Sequence, residues 1–573
     1  MPGVADILDA ARRAIFVSQA ALQVTGHNVA NVHTPGYSRQ EVVQQASRPL
    51  TTGIGDFGTG VDLTKIQRVV DSFLDLQVAK ETQTLGRYTA QADAYGRVEA
   101  VFSDLDGAGI NSALSDFFDS LQDLSASPAG QAQRTALISR AQTLADRVRS
   151  ADTALQDIRR GLNDTVKGTL DEINTRTAQV AQLNQQILEH EANGALANDL
   201  RDRRTQLLQE LSERIDLTSF EDQQGKTTVL TAGGRALVSN VTSFKLQVET
   251  DATTGYYDVK LDPGSGTLVT LTSAITGGRL KGLLELRDTK IASYRSSLDS
   301  LASTLVKEVN NVHAGGAGLN GYTTVTAERA VSSDTTALNS VGLTFPPVDG
   351  SFTLYVYNSS GAVASSGTVS VTAASTTLNN VRDAIGTTFG TGIANIRASI
   401  ASGKLTIEAD AGYSFAIASD SSKLLAGLGI NSFFSGSKAS DLAVSSTVAN
   451  DTKKIAAGTL SSAGALAQGS NTNALSLAAL RDSKLLQSST QTFGQYHAGL
   501  QGTVGLDAGA ARASLDHQQV IVDQVKDRRE ALSGVSLDEE MTNLIKFQHA
   551  FEAAARMVTV ADEMLDTVIG MLR

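Results

Sequence analysis

The side chains best suited to bind a metal or move a proton near neutral pH are seven histidines, His27, His33, His190, His313, His497, His517 and His549. No two lie three to five residues apart, the spacing that sets two imidazoles on one helical face for zinc. Each therefore reads as an isolated structural histidine. Gly53, Gly55 and Gly58 match the GxGxxG pattern of dinucleotide-binding loops. That pattern needs a buried strand before it and, after it, a helix whose N-terminus receives pyrophosphate. Here VDLTKI follows and alternates as a strand does, so the glycines read as a loop. Asp104 and Asp106 before Gly107 resemble a calcium loop, but the third ligand and the closing glutamate are missing at the required spacing. A capped helix start is the simpler reading. Glu408 and Asp410 are a carboxylate pair of the kind a glycan-cleaving site needs, yet they fall on a period-two pattern and read as a solvated strand face and its turn. No GxSxG, HExxH, P-loop or kinase-type set is present. No catalytic residue, cofactor or metal is expected, and the chain reads as a non-enzyme.

Composition narrows the class. The 573 residues suggest roughly three to five domains at about 150 residues each. With 41% hydrophobic and 19% charged residues, a sizeable core can form. Aromatics are only 5% and tryptophan is absent, which leans toward thinly cored domains and long helices packed through small residues. The net charge of −12, from 48 basic and 60 acidic residues, is spread along the chain, and no basic block exists to neutralise phosphates. Nucleic acid is not an expected partner. Cysteine is absent, which excludes disulfides, thiolate metal sites and a cysteine nucleophile. MPGVADILDAARRAIF lacks the layout of a secretory signal, and the longest uncharged run, 455–480, is too polar to insert in a membrane. Composition alone would say cytosolic.

Since no residue set does chemistry, the information lies in the helices at the two ends. Val4, Leu8, Ala11, Ile15, Ser18, Leu22, Thr25 and Val29 recur at alternating spacings of four and three, a coiled-coil-like seam. The helix stops at TGHNVANVHTPGYSRQ, residues 25–40, where Pro35 disfavours helical geometry at Thr34 and Pro35-Gly36 suits the centre of a type II turn. Asn28 and Asn31 there have two options, bonding orphan carbonyls locally or reaching a neighbour. At the other end Met541, Leu544, Phe551, Ala555, Val558, Leu565, Ile569 and Leu572 repeat the three-four spacing, after SGVSLDEE supplies a Ser536 N-cap and an acidic first turn. The missing partner of the first helix thus lies more than 500 residues away.

Between the ends, residues 37–70 read as short strands and loops. From 71 to 215 helices dominate, with two long ones separated at Asn193-Gly194. KTTVL, SFKLQVE and YYDVKL are strands within 216–272, and 279–313 is one long helix ending at Gly315-Gly316. A Ser, Thr, Gly and Val-rich island at 322–450 carries the strands FTLYVY, TVSV, IRASI, KLTIEA and YSFAIA and one helix, TTLNNVRDAIGTTF. Helix then resumes from about 472. The fold class is α+β multidomain: paired N- and C-terminal coiled-coil helices, an elongated helical bundle with a small β-sheet, and an inserted β-rich outer domain.

ARRAIFVSQAALQVTGHNVANVHTPGYSRQ at 11–40 resembles the N-terminal signature of the bacterial flagellar rod, hook and hook-associated proteins, and SGVSLDEEMTNLIKFQHAFEAAARMVTVADEMLDTVI at 533–569 resembles its C-terminal counterpart. NDLRDRRTQLLQELSERIDL, GRLKGLLELRDTKI, VNNVHAGGAGLNG and GSNTNALSLAAL are similar to the junction branch of that family. His33 departs from the pattern, which has Asn there. The resemblance implies a structural, extracellular protein exported without a cleaved signal and placed between hook and filament. It implies a ring-like helical layer of about eleven copies. Other implied partners are the hook protein, hook-associated protein 3, and a cytosolic export chaperone on the C-terminal helix. The domains expected are an inner coiled coil (1–36 and 533–573), a β/loop extension (37–70), a helical bundle (71–321 and 466–532, with strands at 216–272) and a β-rich outer domain (322–465).

The residues expected to carry assembly are Val4, Leu8, Ile15, Leu22 and Val29 on the first helix, and Met541, Leu544, Phe551, Val558, Leu565, Ile569 and Leu572 on the last. Asn28, Asn31, Pro35, Gly36 and Tyr37 form the helix-stop corner. A hook or distal rod protein is the alternative within the family. A surface adhesin, or a cell-wall hydrolase hidden in the island, is the alternative outside it.

Overall fold

The computed structural model describes residues 3–53, 55–103, 107, 109–389, 396–461, 463–466 and 468–571. Asp104, Asp106 and Leu572, singled out above, lie outside them. Two compact units make up the chain, one of residues 1–94, 160–287 and 509–573, the other of 95–159 and 288–508.

In the first unit, helix Val4–Ala30 packs along the last helix, Leu537–Met571. Asn28 near the end of the one meets Glu540 in the first turn of the other, so the two run antiparallel. The first helix buries more than the single stripe read from its sequence: Val17, Ala21, Val24 and Asn28 are buried together with Ala11, Ser18 and Thr25. The reason is a second partner close in sequence, which periodicity did not reveal. An antiparallel hairpin, Gln40–Ala46 with Val61–Arg68, packs on the same helix. Gly60 approaches so closely that a Cβ there would lie 3.1 Å from Ala10 Cα. Arg13 crosses to Asp62 and, at 2.8 Å, to Ser47 Oγ. Gly53, Gly55 and Gly58 lie at the tip of this hairpin and lead into strand Val61–Arg68, not into a helix.

Helices Gln131–Glu191 and Asn198–Arg214 are divided near Asn193-Gly194, with Gly194 at φ +82°, a conformation glycine adopts at little steric cost. A four-stranded antiparallel sheet (Leu217–Glu221, Thr227–Thr231, Ala236–Ser239, Thr242–Ser243) and a three-stranded one (Lys245–Thr250, Tyr257–Asp262, Val269–Thr270) follow. The helix expected over 279–313 is not continuous. A π-turn at Leu286–Lys290 separates Gly278–Glu285 from Ile291–His313. Within it Arg287 is buried and donates to Asn163 Oδ1 and the Tyr257 carbonyl, both at 2.8 Å. That partnership is made by residues distant in sequence, so no local pattern announces it.

The second unit holds two cores. Helices Ile110–Ala126 and Ile291–His313 and the early part of Gln131–Glu191 enclose Phe117, Phe118, Phe433, Phe434 and Phe493 with leucines such as Leu121 and Leu298. Few as they are, the aromatics are concentrated, with ring centroids 4.9–6.0 Å apart, and this core is not thin. The other core is β-rich. Strand Gly350–Tyr357 lies between Val363–Val371 and Ser414–Ala418, and Lys404–Ala409 between Thr324–Thr326 and Ile396–Ala401, all antiparallel, with helix Leu378–Phe389 packed against them. After His313 the β core begins at Ala314, and it draws residues up to Ile430. Glu408 faces Arg397 across the ladder, and Asp410 pairs with Arg397 at 2.5 Å.

Candidate functional site

The helix-stop corner joins four stretches of chain. Its geometry begins with Asn31, whose N–H and side-chain Nδ2 both donate to the His27 carbonyl, at 3.1 and 3.0 Å. A helix end leaves carbonyls orphaned, and Asn31 takes the local option. Thr34 Oγ1 then bonds Asn31 Oδ1 at 3.1 Å, and Tyr37 N–H closes the turn onto the Thr34 carbonyl at 3.2 Å, with Gly36 at φ +80°. Pro35 stays exposed.

Asn28 takes the other option. Its Oδ1 accepts from Gln40 N–H at 3.0 Å and from the Tyr37 hydroxyl at 2.8 Å. Its Nδ2 donates to the Gln40 carbonyl at 2.9 Å and to Glu540 Oε2 at 3.1 Å. Backbone partners fix the amide's orientation, because an N–H can only donate and a carbonyl can only accept. One buried side chain thus ties the end of the first helix to the hairpin and to the last helix. Tyr37 also meets His27 Nδ1 at 3.0 Å. Burial, with Asp199, Asp202 and Glu540 nearby, pushes the Tyr37 phenol above its ordinary value, so it stays a donor at any physiological pH.

Around this bond the NDLRDRR segment supplies polar partners. Asp202 accepts from Ser38 N–H at 2.9 Å and from Arg68 at 2.8 Å, and Gln40 bonds Asp199 at 2.8 Å. Arg39 N–H reaches the Ser533 carbonyl at 2.8 Å, while its guanidinium meets Glu539 at 2.6 Å. Arg204, almost fully buried, bonds Asn184 Oδ1 at 3.0 Å and the Gly225 carbonyl at 2.6 Å and pairs with Glu221. Burial lowers its pKa to about 10. Sequence reasoning gave the acidic first turn of the last helix a dipole role only. Glu539 and Glu540 also hold the corner, which the density of acids and bases in 198–204 and 538–540 hinted at. Asn28→Ala leaves Gln40 N–H and its carbonyl without their Asn28 partner in a half-buried site, a loss of about 1–3 kcal/mol. The expected result is a sharp rise in protease cleavage within 28–40, and unchanged cleavage would contradict it.

Of the expected assembly residues, Val4, Leu8, Ile15, Leu22 and Val29 are half-buried, as are Leu544, Phe551, Val558 and Leu565. On the last helix the stripe facing inward is completed by Glu540, Ala554 and Ala561, all buried, while Met541 and Ile569 are exposed. A second apolar stripe, Met557, Val560, Met564, Val568 and Met571, points to solvent, each residue 46–82% exposed. Among the described residues no group of three or more His, Asp or Glu side chains is placed to hold a metal, and no helix is long and apolar enough to cross a membrane.

Residues 95–326 match the family described as the flagellar hook-associated protein FlgK helical domain, and 530–571 match the flagellar basal body rod FlgEFG protein C-terminal family. Flagellar hook-associated protein 1 of Bacillus subtilis is 27% identical, over 98% of this chain and 97% of its own length. The proteins of that name from Escherichia coli and Salmonella typhimurium are each 26% identical, over 99% of this chain and 100% of theirs. The chain is thus similar along nearly its whole length to flagellar hook-associated protein 1 of these bacteria. The solved structure of the flagellar hook junction protein FlgK from Burkholderia pseudomallei shares its fold, at 16% identity and a TM-score of 0.55, covering 80% of this chain and 100% of that one. It is a non-catalytic, structural component of the bacterial flagellum. In this chain the corner of residues 28–40 ties the first helix to the last.

Proposed function

We propose that this chain is the adaptor between hook and filament, that it assembles with copies of itself as a ring-like helical layer outside the cell, and that filament assembly requires it. The observation carrying this reading is the last helix, whose one apolar stripe is closed by the first helix while the other is bare. A helix apolar on two sides is stable in water only when both are covered. Copies related head to tail around a tube supply that cover for every subunit alike. The exposed Met541 and Ile569 and the half-buried Leu544, Phe551, Val558 and Leu565 are its contact residues, with Val4, Leu8, Ile15, Leu22 and Val29 lining the inner seam.

The hook protein below, hook-associated protein 3 above and an export chaperone on the C-terminal helix are the partners in this reading. The inner coiled coil is 1–36 with 533–573, and the 322–465 region lies outermost. A deletion strain tests the function: hooks should form while filament subunits are shed into the medium. Loss of the hook itself would favour a hook or rod role instead.

The end pair is thinly stabilised alone. A buried Leu, Ile or Phe contributes roughly 1.5–3 kcal/mol, against about 1–2 kcal/mol of backbone entropy per ordered residue, and the inward positions include Ala11, Ser18, Ala21, Ala554 and Ala561. Amides of residues 4–30 should therefore exchange far faster in a dilute monomer than in assembled flagella. Equal protection in both would refute the dependence on neighbours.

A further inference from the structure

His313 closes helix Ile291–His313, is fully buried, and has both ring nitrogens engaged by backbone. Nδ1 lies 2.7 Å from the Asn431 carbonyl, and Nε2 lies 2.9 Å from the Ala456 N–H. A carbonyl only accepts and an amide N–H only donates, so the proton sits on Nδ1 and Nε2 must stay bare. The arrangement therefore exists only for the neutral ring. The segment it grips, 452–458, is further held by Arg134, which donates to the Thr452 and Ile455 carbonyls, both at 2.9 Å. Asn473 Nδ2 bonds the Ala456 carbonyl at 2.6 Å, and Ala317 N–H bonds the Gly458 carbonyl at 2.8 Å. On the other side Asn431 Nδ2 donates to the Ala314 and Gly316 carbonyls at 3.2 and 3.1 Å and its Oδ1 accepts from the Tyr322 hydroxyl at 2.7 Å. His313 is thus the link between the end of the helix, the Asn431 turn and the 452–458 segment, where the chain returns from the β-rich core.

We propose that His313 is an acid-released bolt: the neutral imidazole fastens segment 452–458 to the root of the β-rich region, and protonation at Nε2 releases it. The added proton comes from bulk water and sets an N–H against the Ala456 N–H, removing that bond and creating a repulsion. The charged and titratable groups of the surrounding elements include Arg134, Tyr322, Asp420, Asp451, Lys453 and Lys454. Arg134 is the one that acts on the ring, and it opposes protonation, while Asp451 acts on Arg134, Tyr322 and Lys454. The Phe433 ring stands edge-on at 5.6 Å and offers no charge.

Burial, with a smaller contribution from Arg134, lowers the pKa of His313 from 6.5 to about 4. The released state binds the proton more readily, so the bolt is fully effective above pH 6.5, weakens as pH falls, and loses nothing further below about 4. That interval corresponds to about a 300-fold change in the opening equilibrium.

Hydrogen exchange on the full chain tests this, read as protection corrected for the intrinsic rate at each pH. Between pH 7 and 4, peptides covering 452–458 should lose protection by about 100-fold, while peptides from strand Gly350–Tyr357 hold theirs. In His313→Gln, whose amide does not titrate, the loss should disappear. A flat response in the natural chain, the same loss in the variant, or a loss shared equally by the strand overturns the proposal. Should the variant not fold, nitrogen NMR of the natural protein decides. A ring with Nδ1 protonated and Nε2 bare at pH 7, whose protonation coincides with release of Ala456, supports the bolt. A ring already charged at pH 7, or protonated without that release, overturns it.

Discussion

Ala561→Asp should leave cells with bare hooks and free filament subunits in the medium. Ala561 has no exposed surface and sits on the stripe of the last helix that faces the first. A carboxylate there loses its hydration, and its short stem cannot lift the charge to water as a lysine would. Added to the crowding of a small site, the cost is roughly 3 kcal/mol or more, enough to part a thinly stabilised pair of helices. Met564→Asp gives the informative contrast. Met564 lies on the bare stripe, 46% exposed, so the isolated chain should tolerate it while assembly still fails. If Ala561→Asp cells carry filaments, the pairing of the ends is not what assembly needs. If Met564→Asp cells do, the bare stripe is not a contact between subunits.

Gly278→Ala should destabilise the first unit by about 3–5 kcal/mol. Gly278 has φ +73°, which a side chain disfavours, and an added Cβ would fall 2.4 Å from Ile215 N and 2.5 Å from Arg214 C. Both are backbone atoms, so no side chain can move aside. The end of helix Asn198–Arg214 and the start of Gly278–Glu285 would have to separate, and the bonds of Asp216 to Thr276 N–H and Oγ1, at 3.0 and 2.7 Å, would go with them. The midpoint of the earliest urea transition should fall sharply. A midpoint within the error of the natural protein's would show that the helices are free to shift.

Much of this was legible in the residue order, and particular elements show why. The corner at Thr34-Pro35-Gly36-Tyr37 forms where it was expected, because proline and glycine restrict or free the backbone whatever surrounds them. The strands KTTVL, FTLYVY and KLTIEA likewise sit within Thr227–Thr231, Gly350–Tyr357 and Lys404–Ala409 or overlap them closely, since one buried face imposes a period of two. The last helix was read less well. The three-four spacing put Met541 and Ile569 on the seam; both are exposed, whereas the face against the first helix uses Ala554, Ala561 and Glu540. Small residues allow close approach of two backbones, and a buried carboxylate is favourable only with a donor such as Asn28 in place. Neither property is visible in a hydrophobic pattern.

The amino-acid order by itself determined where helices begin and stop, which regions form strands, and that two amphipathic segments at opposite ends need partners. Those are consequences of backbone restriction and of side-chain period, which act over a few residues. Only the tertiary structure decided that the hairpin shares the first helix, that Asn28 spans 512 residues to Glu540, that Arg287 turns inward at a π-turn, and that His313 is held neutral. Each of these depends on desolvation and on partners brought together by folding, and a buried polar group has no preferred neighbour until the chain around it has closed.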